Sequence, residues 1–468
     1  MNSKWLLDAS NPKYRTIRAI QKIANHELIF ETEAIALTAY VPQRANFCSF
    51  CFQESSALSK CASCSLFYYC GPECQKKDWL AYHKIECEGL KKAANIEYSN
   101  ELILSLRLYL VYKENAGFQD SILKMKSHED IYSEAEMAEI KEMSKKISEI
   151  LNEDPKEIPT IFSIICKAKI NFFTIEKPSY VMNMSVGTGF YQGEANYFNH
   201  SCLPNALKIY SNRKLKIFAS EEILPEQEIF ICYDDIMGKP FNWRQAYLKK
   251  HYKMTCLCRL CSKEAKNDKE IYPNIGLKCG KCPEKGEIIN NKCKSCGFIY
   301  KYADLATLHH DLESTFEKTL KNMKKFEESL IFLEEIKKAR LEVHSFLIEM
   351  IVSSIIHQYF NLCFETHPKE CYNLLKFYVR NYQKWFEIKI PSFGFKINEL
   401  SKLALKMKKG KKARRYCEEA WQHLSLHFSE DNCKEMKELA NRRVLIQGLL
   451  DTGSEIRKNE NKGILKID

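Results

Sequence analysis

The heptapeptide NHSCLPN, residues 199–205, is followed directly by the strand-like run ALKIYS. Turn formation explains its serine, its proline and its second asparagine, because these residue types favour tight turns. It does not explain Cys202, whose plausible partners lie more than fifty residues downstream. The role of the Cys202 thiol must therefore be inferred from the positions of the other cysteines of the chain.

The composition is typical of a globular protein. The chain has 468 residues, of which 45% are hydrophobic and 28% charged, enough for about two to four domains with cores of their own. No stretch approaches the roughly 18 apolar residues of a transmembrane helix, and the first residues lack the apolar core of a signal peptide. We therefore expect an intracellular protein of the cytoplasm and nucleus that binds no membrane.

Cysteine is abundant, with 21 residues, and the net charge is +11. In a reducing compartment such cysteines are metal ligands, reactive thiols or buried apolar residues rather than disulfides. The motifs described below imply about four zinc ions held by fifteen thiolates, which would lower the net charge to about +4. The basic balance is therefore weak support for nucleic-acid binding, and a solvated basic surface is the simpler explanation.

Eight ligand-type residues occur between positions 48 and 87, enough for two tetrahedral sites. Two-residue spacing lets paired thiolates reach one ion, and three-residue spacing places two ligands one helical turn apart. Reduced structural cysteines without metal are the alternative. The segment is too short for a large core, so we expect metal ions to hold it together. The eight residues are Cys48, Cys51, Cys61, Cys64, Cys70, Cys74, His83 and Cys87.

The pattern resembles the MYND zinc finger at all eight ligand positions, and LFYYCGPECQKKDWLAYHKIEC, residues 66–87, is similar to that family throughout. The resemblance implies an interleaved pairing and a finger that binds short proline-containing peptides. In that pairing one ion is bound by Cys48, Cys51, Cys70 and Cys74, and the other by Cys61, Cys64, His83 and Cys87.

Two further cysteine clusters follow. CLCRLC, with Cys256, Cys258 and Cys261, is one ligand short of a tetrahedral site. The next cluster is complete by itself and is typical of a small structural zinc ribbon, with partner binding as the alternative. Its ligands are Cys279, Cys282, Cys293 and Cys296. Six cysteines lack metal spacing, and most of them are predicted to be apolar core residues. The six are Cys166, Cys232, Cys363, Cys371, Cys417 and Cys433.

Between the finger and CLCRLC lie the β-type runs INFFTI, ALKIYS, KLKIFAS and QEIFICYDD, separated by turn residues. Here the sequence resembles the SET domain of protein lysine methyltransferases, and with the finger it resembles the SET and MYND domain family. NHSCLPN matches the family's NHSCxPN signature, QEIFICYDD resembles its E-L-x-I-x-Y-x-D strand, and CLCRLC matches its post-SET C-x-C-x-x-C.

This resemblance implies roles for the opening loop. Asn199 and His200 would line a pocket for S-adenosylmethionine, and Cys202 would be the missing fourth ligand of CLCRLC. Taken alone, an Asn-His pair is equally compatible with a turn and a hydrogen-bonded histidine. The resemblance also implies that Arg15, Asn171 and Met254 contact the cofactor.

Tyr233 is the residue that we expect to serve the chemistry, and it would contact the cofactor as well. The family likeness implies that the target lysine and the sulfonium methyl meet beside it, with Tyr252 as a second catalytic tyrosine in the lysine channel. Such a channel would align the reactants and favour the neutral amine. Without the resemblance, each tyrosine would be interpreted as a packed aromatic residue.

The chain departs from the family pattern at its glycine-rich opening turn. NPKYRTIRA stands where the family has G-K-G-R-G-L-R-A, so Tyr14 and Thr16 occupy glycine positions and Arg15 aligns with a basic residue. Side chains there forbid positive φ and occupy space that the cofactor needs. Met254 replaces a common aromatic residue, and Cys232 replaces a frequent serine. VGTGFY resembles the family's G-x-G-L-Y turn, and a glycine pair of this kind is expected in a tight turn.

The remaining sequence is helical in pattern. Residues 92–170 have amphipathic periodicity and form a predicted helical insert. The segment from about 303 to 468 predicts stacked antiparallel helices with a coarse likeness to tetratricopeptide repeats. The basic run KMKKGKKARR, residues 406–415, is predicted to be a solvated connection, with attraction of acidic substrates or nuclear import as alternatives.

Together these features predict an α+β protein in which a mostly-β SET domain is interrupted by a MYND finger and a helical insert. A post-SET zinc site, a zinc ribbon and an all-α TPR-like domain follow. We expect a monomeric, S-adenosylmethionine-dependent lysine methyltransferase acting on a histone or non-histone protein, with a catalytically inactive, peptide-binding adaptor in transcriptional regulation as the alternative. The predicted segments are 1–43 and 171–238 (SET), 44–91 (finger), 92–170 (insert), 239–265 (post-SET), 270–300 (ribbon) and 303–468 (C-terminal helices).

Overall fold

The structure is a computed structural model that describes most of the chain. Cys363, residues 270–276 of the predicted ribbon and residues 303–310 of the predicted C-terminal domain lie outside the described residues. The described residues are 3–11, 14–92, 98–125, 127–178, 183–191, 193–234, 236, 241–266, 277–284, 286, 288–289, 292–301, 311, 314–316, 318–319, 322–339, 351–352, 354–356, 358–359, 364–385, 391–428 and 433–451.

The chain divides into two compact units. The first contains the predicted SET domain, finger and insert, and the second contains the ribbon and the C-terminal helices. The first unit comprises Met1–Lys177, Met184–Met237 and Arg244–Cys258, and the second comprises Pro178–Asn183, Gly238–Trp243 and Arg259–Asp468.

A five-stranded sheet forms the centre of the first unit, flanked by shorter strand pairs. The strands are β1 (Trp5–Asp8), β2 (Thr16–Ala19), β3 (Leu28–Ala39), β4 (Ser59–Lys60), β5 (Tyr68–Tyr69), β6 (Phe173–Pro178), β7 (Asn183–Tyr191), β8 (Asn199–His200), β9 (Ala206–Ser211), β10 (Lys214–Ala219) and β11 (Phe230–Ile231). The sheet order is β6-β7-β3-β10-β9, with β3 antiparallel to β7 and β10, and β10 antiparallel to β9. The finger and the insert therefore interrupt the chain between two strands of one sheet.

The predicted β-type runs differ in how much strand they form. ALKIYS coincides with β9 and KLKIFA with β10, whereas QEIFICYDD contributes only the two residues of β11. The glycines of VGTGFY were expected in a tight turn, and this expectation is wrong because they lie inside β7. A Cβ on Gly187 would lie 2.5 Å from the carbonyl oxygen of Thr38. Glycine is therefore required for β7 to lie against β3 at this point.

Helices account for the finger's second half and for the insert. They are α1 (Pro72–Asp78), α2 (Lys84–Lys92), α3 (Asn100–Glu114), α4 (Ala116–Leu123), α5 (Glu134–Leu151) and α6 (Ile158–Lys169), followed after the sheet by α7 (Phe241–Tyr252). The Ser99 hydroxyl accepts the Leu102 N–H at the start of α3, and Ser133 and Glu136 form a capping box at the start of α5. These caps define the helix starts inside the predicted insert.

The finger and the insert share one hydrophobic core. Phe67, Tyr69 and Tyr82 of the finger are buried in the same cluster as the apolar residues of α3, α5 and α6. A Cβ on Gly89 would lie 2.0 Å from the carbonyl oxygen of Ile150, so only glycine lets α2 pack directly on α5. The finger is therefore supported by the insert as well as by its predicted metal ions.

Arg107 of α3 is a fully buried cation at the centre of this core. Its Nε and Nη2 donate to the two carboxylate oxygens of Glu86 at 3.0 and 2.7 Å, and Nη2 lies 3.4 Å from Oδ2 of Asp78. Its Nη1 donates to the carbonyl oxygen of Leu37 at 2.9 Å. One side chain therefore connects the insert to α1 and α2 of the finger and to β3 of the sheet.

Glu86 and Asp78, the acids around Arg107, are also buried, and their surroundings shift their pKa values in opposite directions. Burial alone would raise the pKa of Glu86, but the Arg107 guanidinium and the His83 ring hold it below its usual value. Burial raises the pKa of Asp78 despite the nearby guanidinium, and the Tyr69 hydroxyl donates to this carboxylate at 2.7 Å. The bidentate geometry with Glu86 is the arrangement in which a buried arginine is best paired.

The second unit contains a small hairpin and several helices. Its elements are α8 (Arg259–Lys266), β12 (Ile288–Ile289), β13 (Lys292–Cys293), α9 (Phe326–Ala339), α10 (Pro368–Trp385), α11 (Pro391–Lys406), α12 (Gly410–Leu424) and α13 (Lys434–Asp451). Successive helices from α10 to α13 pack on one another. The basic run 406–415 forms the turn between α11 and α12 and the first residues of α12, with Lys408 at a φ of 57°. Within the described residues, no helix has both the length and the apolar character that membrane crossing requires.

Replacing Arg107 should strongly destabilise the first unit. Arg107→Met would leave the carboxylates of Glu86 and Asp78 buried without their cation, a change that typically costs about 3–5 kcal/mol. Chemical unfolding of the zinc-loaded protein, followed by tryptophan fluorescence, would measure the loss. Lys92→Met is the matched control because Lys92 pairs with Glu88 on the exposed surface of α2 and should have little effect. Equal unfolding midpoints for Arg107→Met and the unchanged protein would contradict the importance assigned to this cation.

Candidate functional site

The ligand groups of the finger have dimensions that fit zinc. A tetrahedral ion with Zn–S bonds of about 2.3 Å separates its ligand atoms by about 3.8 Å. In the first group Sγ of Cys70 lies 3.7 Å from that of Cys51 and 3.4 Å from that of Cys74. In the second group Sγ of Cys61 and Cys87 are 3.8 Å apart. The structure brings together Cys48, Cys51, Cys70 and Cys74 in one group, and Cys61, Cys64, His83 and Cys87 in the other.

His83 is oriented for metal binding by a carboxylate. Its Nδ1 lies 2.8 Å from Oε1 of Glu86, and its Nε2 lies 3.4 Å from Sγ of Cys61 and 3.8 Å from Sγ of Cys64. When Nδ1–H donates to Glu86, the lone pair of Nε2 faces the thiols. Glu86 is in turn held by Arg107, so the buried cation also determines the orientation of a predicted zinc ligand.

The ribbon cysteines form a third group, within the second unit. Sγ atoms of Cys279 and Cys296 are 3.7 Å apart, and those of Cys282 and Cys293 are 3.8 Å apart. The Tyr300 hydroxyl lies 3.1 Å from Sγ of Cys279 and accepts the backbone N–H of residue 280 at 3.0 Å. The donor set and its spacing fit a structural zinc ion.

Cys202 of the NHSCLPN loop lies with the first two cysteines of CLCRLC. Its Sγ is buried and lies 3.9 Å from Sγ of Cys256. The sulfur atoms of Cys202, Cys256 and Cys258 are all within 4.8 Å of one another. The remaining predicted ligand, Cys261, follows Cys258 by three residues, where the second unit begins. Three thiols close together, with no sulfur–sulfur bond among them, have the donor chemistry of a zinc site.

His200 connects this thiol group to Tyr233. Its Nδ1 accepts the backbone N–H of Tyr233 at 3.1 Å, and its Nε2 lies 3.3 Å from Sγ of Cys202. Burial lowers the pKa of His200 to about 4, so the ring is neutral near pH 7. Because Nδ1 is the acceptor, the proton is assigned to Nε2, which donates it toward the sulfur. Both ring nitrogens of His200 therefore have protein partners, and contact with a cofactor is left to its backbone.

Asn199 joins the loop to the altered N-terminal turn. Its Nδ2 donates to the backbone oxygen of Arg15 and to Oε1 of Glu228, both at 2.9 Å. The Tyr14 hydroxyl donates to the same carboxylate oxygen at 3.0 Å, and burial together with Glu228 raises the pKa of Tyr14 to about 12. Tyr14, at a position where the family has glycine, is thus connected through Glu228 to Asn199 of the loop.

The backbone of the N-terminal turn is not left-handed at Tyr14 or at Thr16, two of the positions where the family has glycine. Neither Tyr14 nor Thr16 has a positive φ, and Thr16 is already part of β2, where it pairs with Asp8. Nη1 of Arg15 donates to the Tyr197 hydroxyl at 3.1 Å. At positions 14 and 16 the backbone has a conformation that ordinary residues adopt, so these two side chains cause no backbone strain.

Tyr233 and Tyr252 lie side by side at one pocket of the first unit. Their ring centroids are 4.9 Å apart, and both line a pocket together with Asn171 and Phe173. Burial raises the pKa of each tyrosine above its usual value, so both hydroxyls are protonated near pH 7. The structure therefore brings together the two tyrosines that the sequence assigned to chemistry.

Two functional candidates in this region were not recognised from the sequence. Asp234 accepts hydrogen bonds from the hydroxyls of Tyr252 at 2.6 Å and Tyr247 at 2.8 Å, which holds the Tyr252 ring in place. Asn196 lines the pocket, and its Oδ1 is buried without a hydrogen-bond partner among the described residues. A buried, unpaired acceptor is costly unless a ligand completes it. The only signals in the sequence were that Asp234 lies within QEIFICYDD and that Asn196 precedes NHSCLPN by three residues.

The other predicted cofactor residues lie nearby or outside the pocket lining. Asn171 lines the pocket, and its Nδ2 donates to the carbonyl oxygen of Lys167 at the end of α6. Met254 is half-buried after α7, and its backbone N–H donates to the carbonyl oxygen of Leu248 at 3.4 Å. The backbone oxygen of Arg15 accepts a hydrogen bond from the Asn199 side chain. Neither residue is among those that line the pocket.

A second, larger hollow adjoins this pocket and shares two of its lining residues, Ile170 and Phe172. Its rim carries paired charges, with Lys169 at 2.5 Å from Glu101 and Lys253 at 2.5 Å from Glu136. It is bounded by the insert, the sheet and the end of α7.

Comparison with known proteins agrees with this architecture. A family model described as the MYND finger matches residues 48–87. The chain is 27% identical over 275 residues to N-lysine methyltransferase SMYD2 of Sus scrofa, a match that covers 55% of this chain and 60% of that protein. It is 28% identical over 296 residues to N-lysine methyltransferase SMYD2-A of Danio rerio, covering 59% of this chain and 63% of that protein. The chain is therefore similar to SET and MYND domain proteins over somewhat more than half of its length.

The similarity extends over part of this chain and part of each relative. The chain spans about 60% of the length of the curated relatives that it matches. Among solved structures, the SET domain of LSMT bound to lysine and AdoHcy is 12% identical, with coverage of 82% of this chain and 87% of that chain and a TM-score of 0.31.

Loss of Cys202 should remove one zinc ion from the protein. We expect about four zinc ions per chain, and about three in Cys202→Ser, because one thiolate of a tetrahedral site would be missing. Elemental analysis of the purified proteins measures the content. Cys166→Ser is the control, since Cys166 is buried in α6 and belongs to none of the ligand groups. An unchanged zinc content in Cys202→Ser would show that Cys202 is not a zinc ligand. A content of about two zinc ions in the unchanged protein would refute both the post-SET site and the ribbon site.

Proposed function

We propose that this protein transfers a methyl group from S-adenosylmethionine to the side-chain amine of a lysine in another protein. The observation that carries the proposal is the pairing of Tyr233 and Tyr252 beside a pocket next to the NHSCLPN loop. Relatives over 55–59% of the chain are named N-lysine methyltransferases. The substrate would be a histone or a non-histone protein.

The pocket residues have the properties that methyl transfer needs. When bound, S-adenosylmethionine supplies an electrophilic methyl group on a cationic sulfur. Phe173, Tyr233 and Tyr252 form an aromatic surface that excludes water and favours the neutral form of an entering amine. The hydroxyl oxygen of Tyr233 can accept from the amine as positive charge develops on nitrogen. Asp234 holds Tyr252 in the required orientation.

The residues that would hold the cofactor fit a polar ligand. The unpaired Oδ1 of Asn196 offers an acceptor inside the pocket, and Asn171 offers an amide at its edge. In this proposal Arg15, Asn199, His200 and Met254 contribute from the surrounding turn and loop, with His200 using backbone atoms. The adjoining hollow would receive the residues that flank the target lysine.

A second function, peptide binding without catalysis, is favoured by a different observation. On the finger, the side chains of Trp79, Leu80 and Ile85 are exposed to 40%, 75% and 45%, and exposed apolar residues of this kind are suited to contact with a short proline-containing peptide. We propose that such peptides bind there whether or not the pocket is catalytic, and that the protein is a monomer of the cytoplasm and nucleus. The basic run 406–415 is the candidate import signal.

Calorimetric titration with S-adenosylmethionine should detect binding at a single site per zinc-loaded chain. The measurement separates the two functions, because the adaptor needs no cofactor. Binding would show that Tyr14 and Thr16 leave room for the cofactor. No detectable heat of binding to protein with its full zinc content would contradict the methyltransferase proposal and favour the peptide-binding adaptor.

Tyr233→Phe should reduce labelled methyl transfer to proteins of a cell extract by about 100-fold, because the hydroxyl oxygen beside the amine is lost. Affinity for S-adenosylmethionine should change much less. Tyr109→Phe is the matched control, since Tyr109 is a buried tyrosine of α3 with a hydroxyl bonded to Glu157. Equal transfer by Tyr233→Phe and the unchanged protein would exclude the hydroxyl from the reaction.

A further inference from the structure

Lys208 places an ammonium group of the chain itself beside the candidate pocket. It lies on β9, is half-buried, and its Nζ donates to the backbone oxygen of Tyr233 at 2.5 Å. Nζ also faces the ring of Phe173 at 5.8 Å and that of Tyr210 at 6.0 Å. Tyr233 and Phe173 are both pocket-lining residues, so this positive charge borders the place where the target amine would enter.

The charge of Lys208 is not balanced by an ion pair within the described residues. Other lysines on the same sheet are balanced: Lys214 and Lys216 lie 2.8 and 3.1 Å from the carboxylate of Glu31. Asp234 is the acid next to Tyr233 in sequence, but its Oδ2 accepts from two tyrosine hydroxyls. Lys208 bonds instead to a neutral carbonyl. A lysine ammonium has three donors, so further donors remain for an incoming acceptor.

We propose that Lys208 makes this pocket select target lysines that have an aspartate or glutamate beside them in sequence. The inference rests on the proposed lysine methyltransferase function and specifies its substrate class. A carboxylate next to the target lysine would form a charge-assisted hydrogen bond with the Lys208 ammonium. A basic neighbour would meet a like charge in partly desolvated surroundings, which disfavours the wrong substrate.

Three synthetic peptides would test this selection. Each has one central lysine, flanked on both sides by glutamate, by glutamine or by arginine, and is titrated into the zinc-loaded protein saturated with S-adenosylhomocysteine. We expect the glutamate-flanked peptide to bind about tenfold more tightly than the arginine-flanked one, with the difference shrinking at high salt. This readout is binding and does not depend on turnover.

Variants at position 208 should change the order of affinities. Lys208→Met should bring the three affinities within about twofold of one another, and Lys208→Glu should make the arginine-flanked peptide the tightest, because the sign of the charge is reversed. Lys214→Glu is the matched control: it reverses a charge on the same sheet and should preserve the original preference. Zinc content and unfolding midpoint confirm that each variant is folded, and Lys208→Met decides alone if Lys208→Glu does not fold.

Several results would overturn the inference. These are equal affinities of the three peptides for the unchanged protein, an undiminished preference in Lys208→Met, and binding of none of the peptides by protein that binds S-adenosylhomocysteine. A variant that changes cofactor affinity but not peptide preference would assign Lys208 to the cofactor instead. Absence of cofactor binding in the unchanged protein would count against the proposed function itself, so the two failures are distinguishable.

Discussion

The buried guanidinium of Arg107 is the contact on which the arrangement of the first unit depends. A charge without access to water must be paired on every side, and Arg107 is paired by Glu86, by Asp78 and by a carbonyl oxygen of β3. These partners belong to the finger and to the sheet, while Arg107 belongs to the insert. Because the three parts must meet for the charge to be satisfied, the finger has one favourable position on the SET domain.

The same interaction extends to metal chemistry. Glu86 orients the ring of His83, whose Nε2 faces the thiols of the second finger group. The predicted zinc ion and the buried cation are thus coupled through one carboxylate, and each favours the ionised form of Glu86. The position of an otherwise small, metal-dependent segment is therefore coupled to the hydrophobic core of the insert.

A second coupling of this kind occurs at the candidate active site. His200 bridges the sulfur of Cys202 and the backbone of Tyr233, so the post-SET thiols and the candidate catalytic tyrosine share one neutral imidazole. Asn199 and Tyr14 both donate hydrogen bonds to Glu228, which connects the N-terminal segment around Tyr14 to the same loop. Within the NHSCLPN stretch, Asn199, His200 and Cys202 contact other segments of the chain, whereas the Ser201 hydroxyl donates to the backbone oxygen of Leu203 in the loop itself.

How far the sequence could predict this protein depends on the range of each interaction. Cysteine spacing predicted the ligand pairs of the finger and the ribbon, because ligands two or three residues apart are brought together by local backbone geometry. The interleaved grouping of the finger's ligands was implied only by the resemblance to the MYND finger. Alternating patterns predicted β9 and β10 for the same reason. The glycines of VGTGFY were misplaced in a turn, since the close approach that requires Gly187 comes from β3, which is distant in sequence.

By itself, then, the sequence determined which residues have metal-ligand spacing, where β9, β10 and the helical regions lie, and which motifs carry the family likeness. The tertiary structure alone decided that Arg107 pairs with the acids of the finger, that Asp234 holds Tyr252, and that Lys208 reaches the backbone of Tyr233. These contacts join side chains from separate elements. No local period or spacing encodes them, and they arise only when burial forces each polar group to find a partner.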